Sequence, residues 1–325
     1  MAESKGAPFI RSGNTAGTLR LDVLIALIAP TVCATVTFGW RVPVLLLISI
    51  ATAMLSEALG CLMQHRRLTL LDGSAAVTGW LIGMMVSPIA PFWLVIVASA
   101  FAILIVKLPF GGDGHNVFNP AAAGIALITQ CFSAELFLYP DTDAVLPVWV
   151  DTDTVLTAAS PASLLRTGGM SPYDGYDFLF GQFPGPLGAT AIFVLCACAA
   201  FLFARKTISP SLTLSFVATC AVIAVLFPRV TDGTWYQSIL LELCSGYLLL
   251  AGVFMLTDPV TSPHRPAARA VYGVLAGILV MLLRHIGRFE ESTCFAILLC
   301  NTVSAAIDRT VWRIGCTIRK RRETA

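Results

Sequence analysis

Residues 43–62 read PVLLLISIATAMLSEALGCL, twenty residues with a single charged side chain, Glu57. A helix of about 20 apolar residues is long enough to cross the hydrocarbon core of a bilayer. The same bias extends along the whole chain, because 57% of its 325 residues are hydrophobic and only 12% are charged. A soluble domain carries about twice that share of charge. The composition therefore excludes a soluble enzyme, a disordered chain and a nucleic-acid binder, and it predicts a bundle of transmembrane helices.

Similar apolar runs recur on both sides of this stretch. They cover residues 21–40, 43–62, 74–91, 92–108, 118–138, 187–204, 211–228, 236–257, 268–286 and 293–312. We therefore expect an all-α polytopic membrane protein with about ten transmembrane helices. The cysteines lie mostly inside these runs, and no Cys/His spacing typical of a metal site occurs among them.

The basic residues predict the orientation of these helices. Ten spans place both termini on one side, and a cytoplasmic N-terminus puts sixteen of the 21 Lys and Arg residues inside. The five that fall outside are Arg41, Arg166, Arg229, Arg284 and Arg288. Because cytoplasmic segments carry the excess of Lys and Arg, we expect both termini in the cytoplasm.

The longest non-apolar segment divides the ten runs into five and five. It carries six aspartates and one arginine, and on this topology it is extracytoplasmic. A solvated loop and a docking surface for an extracytoplasmic partner are both open interpretations. The expected organisation is a cytoplasmic N-terminal tail (1–20), a first five-helix half (21–138), the acidic loop (139–186), a second five-helix half (187–312) and a basic cytoplasmic tail (313–325).

Both halves contain a proline-interrupted segment followed by one apolar run. In the first half this segment is Ser87-Pro88, and in the second half it is Asp258-Pro259 followed by Ser262-Pro263. With five spans per half, the second half would run opposite to the first across the membrane. Such an inverted repeat with broken helices commonly builds a central binding site at the interface of its halves.

A glycine-rich segment leads into the fifth apolar run. Free backbone N–H groups at such a junction are able to bind an anion or the polar edge of a ring. The residues of this segment that we expect at a ligand are Phe110, Gly111, Gly112, Asn116 and Asn119. The alternative is a tight turn in which Asn119 caps the helix and Pro120 occupies its first position.

Thr190 stands where the long loop enters the sixth apolar run. Three small residues before it, Gly185, Gly188 and Ala189, are expected to leave its hydroxyl sterically open. A phosphate on that hydroxyl would meet the N-terminal N–H groups and the positive end of the helix dipole. A threonine in the first turn is also a common N-cap, so both interpretations stand.

Asp258 is the acidic residue with the most informative neighbours. Intramembrane carboxylates tend to face a cavity, a partner or an ion path. Pro259 and Pro263 break the helix here, so exposed carbonyls could join the carboxylate in holding a cation. An interfacial turn capped by Asp258 is the alternative.

These segments, taken in order, resemble the RnfD family, the D-type membrane component of the Rnf ion-translocating electron transport complex. They are also similar to the related B-type component of the sodium-pumping NADH:quinone reductase. The resemblance runs from about Leu21 to Asp308. The segments that carry it best are Phe110-Gly111-Gly112 through Phe118-Asn119-Pro120-Ala121, and Thr257-Asp258-Pro259-Val260 with Ser262-Pro263. Asp72-Gly73-Ser74 and Tyr272-Gly273 agree with it as well.

The resemblance implies a membrane flavoprotein in a bacterial or archaeal cytoplasmic (inner) membrane. It implies FMN bound to Thr190 through a phosphoester, a separate flavin transferase for maturation, and a non-covalent riboflavin as a further cofactor. Electrons would pass between ferredoxin and NAD, through FMN-bearing and iron–sulfur partner subunits, coupled to translocation of Na⁺ or H⁺. In this relay the flavin supplies the redox chemistry, so no protein acid or base is expected to be catalytic.

The sequence departs from the Rnf pattern just before Thr190. Pro186 stands where that pattern commonly has serine, and Ala189 replaces its usual glutamate. Gly188-Ala189-Thr190 instead matches the quinone-reductase type, although Leu187 is not the serine expected there. These differences concern recognition by the flavin transferase.

Two other functions fit parts of the sequence. A secondary transporter with a central site would use the broken helices and Asp258. A passive membrane scaffold for the complex would need neither a flavin on Thr190 nor an ion at Asp258. Retained electron transfer in Thr190→Val would indicate the scaffold, and solute uptake by the purified chain alone would indicate the transporter.

Overall fold

The computed structural model describes residues 15–65, 72–142, 145–150, 155–230 and 233–323. Fourteen α-helices, a π-helix and one short hairpin occupy this part of the chain. The first half contains α1 (Ala16–Phe38), α2 (Arg41–Met63), α3 (Ser74–Met85), α4 (Phe92–Phe101) with the π-helix (Ala102–Lys107), α5 (Pro120–Cys131) and α6 (Ser133–Leu136). The loop contains β1 (Tyr139–Pro140), β2 (Thr157–Ala158), α7 (Pro161–Arg166) and α8 (Gly175–Phe180). The second half contains α9 (Ile192–Ala204), α10 (Pro210–Leu226), α11 (Trp235–Cys244), α12 (Leu248–Phe254), α13 (Pro266–Ile286) and α14 (Thr293–Glu323).

The prediction of an all-α polytopic membrane protein is confirmed. Four helices are apolar and long enough to cross a bilayer, namely α1, α2, α13 and α14 to Thr317. The bent pair α11–α12 would make a fifth span, and five further apolar helices are shorter. Each of the ten apolar runs thus contains a helix, but half of them are helical over too short a length to cross alone. A twelve-residue helix such as α3 is only about 18 Å long.

Two of the short helices are broken by identifiable backbone features. Gly246 has φ of 61°, in the left-handed region that favours glycine, and α11 and α12 meet there at 61°. α3 starts directly after Gly73, with φ of 76°, and ends where Val86 turns extended before Ser87-Pro88. Breaks therefore occur in both halves, and the interpretation of two related halves stays a prediction.

The π-helix forms the last turns of the fourth apolar run. It covers Ala102–Lys107, where the backbone widens to i→i+5 hydrogen bonds. Lys107 closes it with a side chain that is 2% exposed. A cation at this position is therefore inside the bundle.

Polar contacts between distant segments define two ends of the bundle. At one end Arg205 pairs with Asp22 at 3.1 Å, and the Arg20 guanidinium donates to the carbonyl of Asp72 at 2.8 Å. At the opposite end Arg41 donates to the carbonyl oxygens of Pro88 and Ala90, both at 2.9 Å. Following the orientation that the basic residues predict, we call these the inner end and the outer end.

The long loop folds back over the outer end and contacts both halves. The Leu146 N–H donates to the carbonyl of Phe38 at 3.0 Å, at the end of α1. In the second half, the Ser160 hydroxyl donates to Glu290 at 2.7 Å. Burial in this contact raises the pKa of the Glu290 carboxyl to about 7, against the opposing effects of the Ser160 bond and Arg166. The loop is therefore anchored to the bundle and is not simply solvated; three of its acids, Asp143, Asp151 and Asp153, lie outside the described residues.

Glycines let two long helices of the second half, α10 and α13, approach closely. A Cβ on Gly273 of α13 would stand 2.5 Å from the Leu212 carbonyl oxygen of α10, and one on Gly277 would stand 2.8 Å from Thr219. Small residues at such crossings are how membrane helices gain packing contact. α10 and α13 thus form a rigid pair beside the broken helices.

Candidate functional site

A cavity of about 440 Å³ opens at the inner end, between the two halves. Ligand-binding cavities have volumes in this range. Apolar walls come from residues such as Leu81, Val253 and Phe254. Polar groups come from Asn116, Asn119, Asp258, Lys107, Asp113, Ser74 and Arg20. The cavity thus brings the predicted site residues Asn116 and Asn119 of the first half together with Asp258 of the second half.

Asn119 connects the first half to the second at the cavity wall. Its Oδ1 accepts the Ala122 N–H at 3.2 Å and caps α5, and Pro120 takes the first helical position. Its Nδ2 donates to the carbonyl of Met255 at 3.1 Å, and its backbone N–H donates to Asn301 Oδ1 at the same distance. The helix-cap interpretation is therefore confirmed, and the same amide also holds the two halves together.

Only part of the glycine-rich segment borders the cavity. Asn116 is 7% exposed and donates through Nδ2 to the carbonyl of Phe118. Asp113, Gly114 and Asn116 line the cavity, whereas Phe110, Gly111 and Gly112 are not part of its lining. The expectation that those three residues stand at the ligand does not fit this cavity, because Phe110 is 46% exposed and the left-handed Gly111 and Gly112 carry the chain away from it.

Asp258 lies in the turn between α12 and α13, on the cavity wall. Its Oδ1 accepts the Val260 N–H at 3.3 Å and its Oδ2 accepts the Thr261 hydroxyl at 3.1 Å. Burial raises the pKa of this carboxyl to about 6, against the opposing effect of these two hydrogen bonds. A carboxyl with such a pKa changes its charge near neutral pH.

A buried ion pair next to the cavity was not assigned from sequence. Lys107 Nζ donates to Glu57 at 2.8 Å and to the Ser74 hydroxyl at 2.5 Å. Lys107 and Glu57 side chains are each 2% exposed. The distribution of basic residues predicts that Lys107 lies in a loop at the inner end. Its position at the end of the π-helix instead directs the side chain inward, where it pairs with a buried acid. A charged residue at the end of an apolar run, with an acid in a neighbouring run, is the signal that could have indicated the pair.

Arg284 needs a related correction at the outer end. It was counted as an outside loop charge, yet its side chain is fully buried and pairs with Glu291 and, at 3.3 Å, with Glu242. Arg229 also binds Glu242, through two bonds of 2.5 and 2.6 Å. Arg284 therefore belongs to an internal charge network and gives no information on membrane orientation.

Thr190 lies apart from the cavity, in a turn next to the end of α3. α9 begins at Ile192 and its N-cap is Ala191, so Thr190 precedes the helix and is not in its first turn. It does not cap the helix, because α9 has no side-chain cap. Within the described part of the chain, the Thr190 hydroxyl has no hydrogen-bond partner, and the residue is 3% exposed.

The small residues before Thr190 serve packing against α3 and the loop. A Cβ on Gly188 would stand 2.8 Å from the Met84 side chain, and the Gly188 N–H donates to the Met84 carbonyl at 2.7 Å. Ala189 is 1% exposed. A Cβ on Gly185 would stand 3.2 Å from the Phe183 ring and 3.4 Å from the Thr190 methyl group. These residues pack closely around Thr190, which as a whole residue is 3% exposed.

Sequence comparison gives the relatives of this fold. The profile of the NQR2, RnfD, RnfE family matches residues 3–314. The D-type component of the ion-translocating oxidoreductase complex of Halorhodospira halophila is 30% identical over 338 aligned positions, covering 96% of this chain and 94% of that protein. Proteins of the same name from Aeromonas salmonicida (31%, covering 93% and 95%) and Escherichia coli (30%, covering 93% and 94%) are similarly related. The match extends over both halves, the cavity and the Thr190 turn, and the chain belongs to the NQR2, RnfD, RnfE family.

Proposed function

We propose that this chain is the D-type membrane component of an ion-translocating oxidoreductase complex. The observation that carries the proposal is the match to D-type components along more than nine-tenths of the chain. A role in such a complex implies other membrane and peripheral subunits, which would carry further flavins and iron–sulfur centres. The complex would pass electrons between ferredoxin and NAD and couple that transfer to translocation of Na⁺ or H⁺.

FMN bound to Thr190 is the first part of this proposal. The residue fits a modified hydroxyl in two respects: its oxygen has no partner among the described residues, and it does not cap α9. The N-terminal N–H groups of α9 lie two residues ahead and suit a phosphate. Bound FMN would supply electron transfer, and the protein would position it. Since Thr190 is 3% exposed, the flavin transferase must act before residues 181–190 close, or must open them.

In-gel fluorescence after denaturation tests the covalent flavin. The full chain is co-expressed with a flavin transferase, and a fluorescent band is expected for wild type but not for Thr190→Val. Thr213→Val is the matched control, because Thr213 is also buried and its hydroxyl also lacks a partner within the described residues. A dark wild-type band, or an equally bright Thr190→Val band, would refute attachment at Thr190.

A second, non-covalent flavin would occupy the inner-end cavity. The volume of about 440 Å³ and the mixed apolar and amide lining suit a ring system with polar edges. Asn116, Asn119 and Asp258 would contact it, and Lys107 would place positive charge beside it. Extraction of the purified complex with acid is expected to release riboflavin from wild type and much less from Asn116→Leu. Equal release from both would exclude the cavity as its site.

Asp258 is proposed to take part in ion translocation. It lies on the cavity wall, and its pKa of about 6 allows exchange of a proton or a cation near neutral pH. Ion transport by the whole complex in proteoliposomes is expected to fall in Asp258→Asn, while fluorescence of the Thr190 flavin stays unchanged. Equal transport by mutant and wild type would remove Asp258 from the path.

A secondary transporter is the second candidate function. The observation that favours it is the cavity itself, which lies between two halves at broken helices, as central transporter sites do. Uptake of a solute by the purified chain in liposomes, without partner proteins or flavin, would support it. Redox activity that requires the chain within the complex would support the oxidoreductase.

A further inference from the structure

A second pocket at the inner end carries positive charge without any acid in its lining. It has a volume of about 300 Å³ and lies beside the inner-end cavity, where α9, α10 and α13 meet the turn after α12. Its polar lining residues are Lys206, Thr207, Ser209, Thr257, Ser262 and Arg269. Two bases and four hydroxyls facing one space are the groups that bind a phosphate.

Two of the hydroxyls are already engaged, because Thr207 donates to Asp22 at 2.7 Å and Thr257 donates to the carbonyl of Val253 at 2.5 Å. Both bases and the end of α10 remain available to a ligand. Arg269 donates Nε–H to the carbonyl of Pro263 at 2.9 Å, and its terminal nitrogens have no partner among the described residues. Lys206 is exposed and forms no ion pair within the same part of the chain. α10 starts at Pro210 without a side-chain cap, because Ser209 interacts with Ser211 instead, so the positive end of a 17-residue helix faces the pocket rim.

Ser262 points to a ligand independently of these charges. It is 5% exposed, it lines the pocket, and its hydroxyl has no hydrogen-bond partner in the described residues. The hydroxyl oxygen is accessible from the pocket, because it does not belong to the fully buried, unpaired oxygens of the described residues. An oxygen acceptor in the pocket would satisfy it.

We propose that this pocket binds the phosphate of an anionic phospholipid headgroup. The inner end is the cytoplasmic side on the orientation that the basic residues predict, and basic pockets between transmembrane helices on that side bind anionic headgroups. Lys206 and Arg269 hold the phosphate charge, Ser262 donates to a phosphate oxygen, and the acyl chains lie along the exposed apolar face of α10. Soluble phosphate offers the same chemistry without the acyl chains, so the experiment separates the two sources.

Native mass spectrometry of the delipidated full chain in non-ionic detergent measures this binding. The probes are phosphatidylglycerol, phosphatidylcholine with the same acyl chains, and inorganic phosphate. Wild type is expected to bind phosphatidylglycerol roughly thirtyfold more tightly than phosphatidylcholine, from two bases near the phosphate. Millimolar inorganic phosphate is expected not to displace the lipid.

Two double variants test whether the lipid preference depends on this pocket. Lys206→Gly combined with Arg269→Gln is expected to bring the two lipid affinities close to each other. Lys206 has φ of 57°, so glycine at this helix end relieves backbone strain and the fold is retained. The control pair Arg309→Gln with Arg313→Gln removes two exposed bases of α14 and is expected to leave the preference unchanged.

A finer comparison tests the hydroxyl. Ser262→Ala is expected to weaken phosphatidylglycerol binding about tenfold, because a hydrogen bond to a charged group is lost, whereas Ser304→Ala in the buried face of α14 has no effect. Three results would overturn the proposal: equal binding of both lipids to wild type, equal losses from the pocket pair and the control pair, or displacement of the lipid by inorganic phosphate.

Discussion

The two halves each bury a cation near the end of their fourth long apolar run, and the two cations have different surroundings. Lys107 pairs with Glu57 at the inner end, and it forms part of the wall of the cavity. Arg284 pairs with Glu242 and Glu291 at the outer end, enclosed by protein on every side. The fourth run of each half thus holds a charge, beside a cavity in one case and within packed helices in the other.

This difference separates a binding function from a structural one. A buried charge costs much less free energy when it is paired and hydrogen-bonded, and both cations meet that condition. Arg284 meets it with protein groups alone, through two acids and the Ser245 carbonyl at 3.1 Å. Lys107 additionally borders open space, so a ligand in the cavity would experience its charge. We therefore expect the outer cluster to determine stability and the inner cluster to determine ligand binding.

Arg284→Met tests most directly whether the outer cluster determines stability. It removes the cation that pairs with Glu242 and Glu291, and of these two buried carboxylates only Glu242 keeps an ion pair, with Arg229. The free energy of unfolding is expected to fall by about 3–5 kcal/mol, the cost of breaking a buried ion pair. Thermal unfolding in detergent measures the change, with Arg288→Met at an exposed position as the control. Similar stability of the two variants would contradict a structural role for the outer cluster.

Lys107→Met is expected to lower stability less and ligand binding more. The lysine borders the cavity and the variant leaves a single carboxylate without its cation, so we expect a loss of about 2 kcal/mol. Release of non-covalent flavin from the purified complex is expected to fall at the same time. The double variant Lys107→Met with Glu57→Gln should recover stability but not flavin content. Recovery of both would mean that the lysine acts only through the ion pair.

Asn119 tests the connection between the two halves. Asn119→Ala removes the cap of α5, for about 1 kcal/mol, together with the bond to the Met255 carbonyl. Asn119→Asp keeps a capping oxygen, loses the donor to Met255 and places a carboxylate oxygen next to the Met255 carbonyl. Comparing the two variants by denaturant unfolding separates the cap from the connection. Equal stability of Asn119→Asp and wild type would show that the bond to Met255 contributes nothing measurable.

The smallest expected effect is the pH dependence at the outer end. Burial raises the pKa of Glu290 to about 7, above its value in the unfolded chain, so the folded state binds this proton more tightly. The contribution of Glu290 to stability is therefore fully present at low pH and is lost as the pH rises from about 4.5 to about 7, by on the order of 1 kcal/mol after solvent screening. Glu290→Gln should flatten the profile of Tm against pH over this range. An unchanged slope in this variant would assign the dependence to another group.

The helices and the breaks between them were accessible from the sequence, because they depend on local chemistry. Apolar runs predict membrane helices wherever they occur, and prolines at positions 88 and 259 lie just after the helices end, although Pro30 is accommodated inside the continuous α1. Asn119 followed by Pro120 likewise predicts a helix start. In each case the residues that determine the feature are neighbours in the chain.

The charged clusters were not accessible, because their partners are distant in sequence. Lys107 lies 50 residues from Glu57, and Arg284 lies 42 residues from Glu242. Counting basic residues by position assigned both cations to loops. The surroundings of Thr190 were also not accessible from the sequence. The small residues before it suggested open space, whereas Met84 of α3 lies against Gly188 and fills that space. Which neighbour fills a gap is decided by the tertiary packing.

The π-helix at the end of the fourth run makes the length of this segment as important as its composition. A π-turn holds one residue more than an α-turn, and one residue of an α-helix corresponds to a rotation of about 100°. Lys107 meets Glu57 only because that extra residue is present between Ala102 and the lysine. Removing any one residue from 102–106 would restore a regular helix and rotate the lysine toward lipid. The sequence would still contain both the lysine and the glutamate, but the two side chains would no longer meet. Among relatives, a one-residue gap here should therefore be accompanied by loss of either the lysine or its acidic partner.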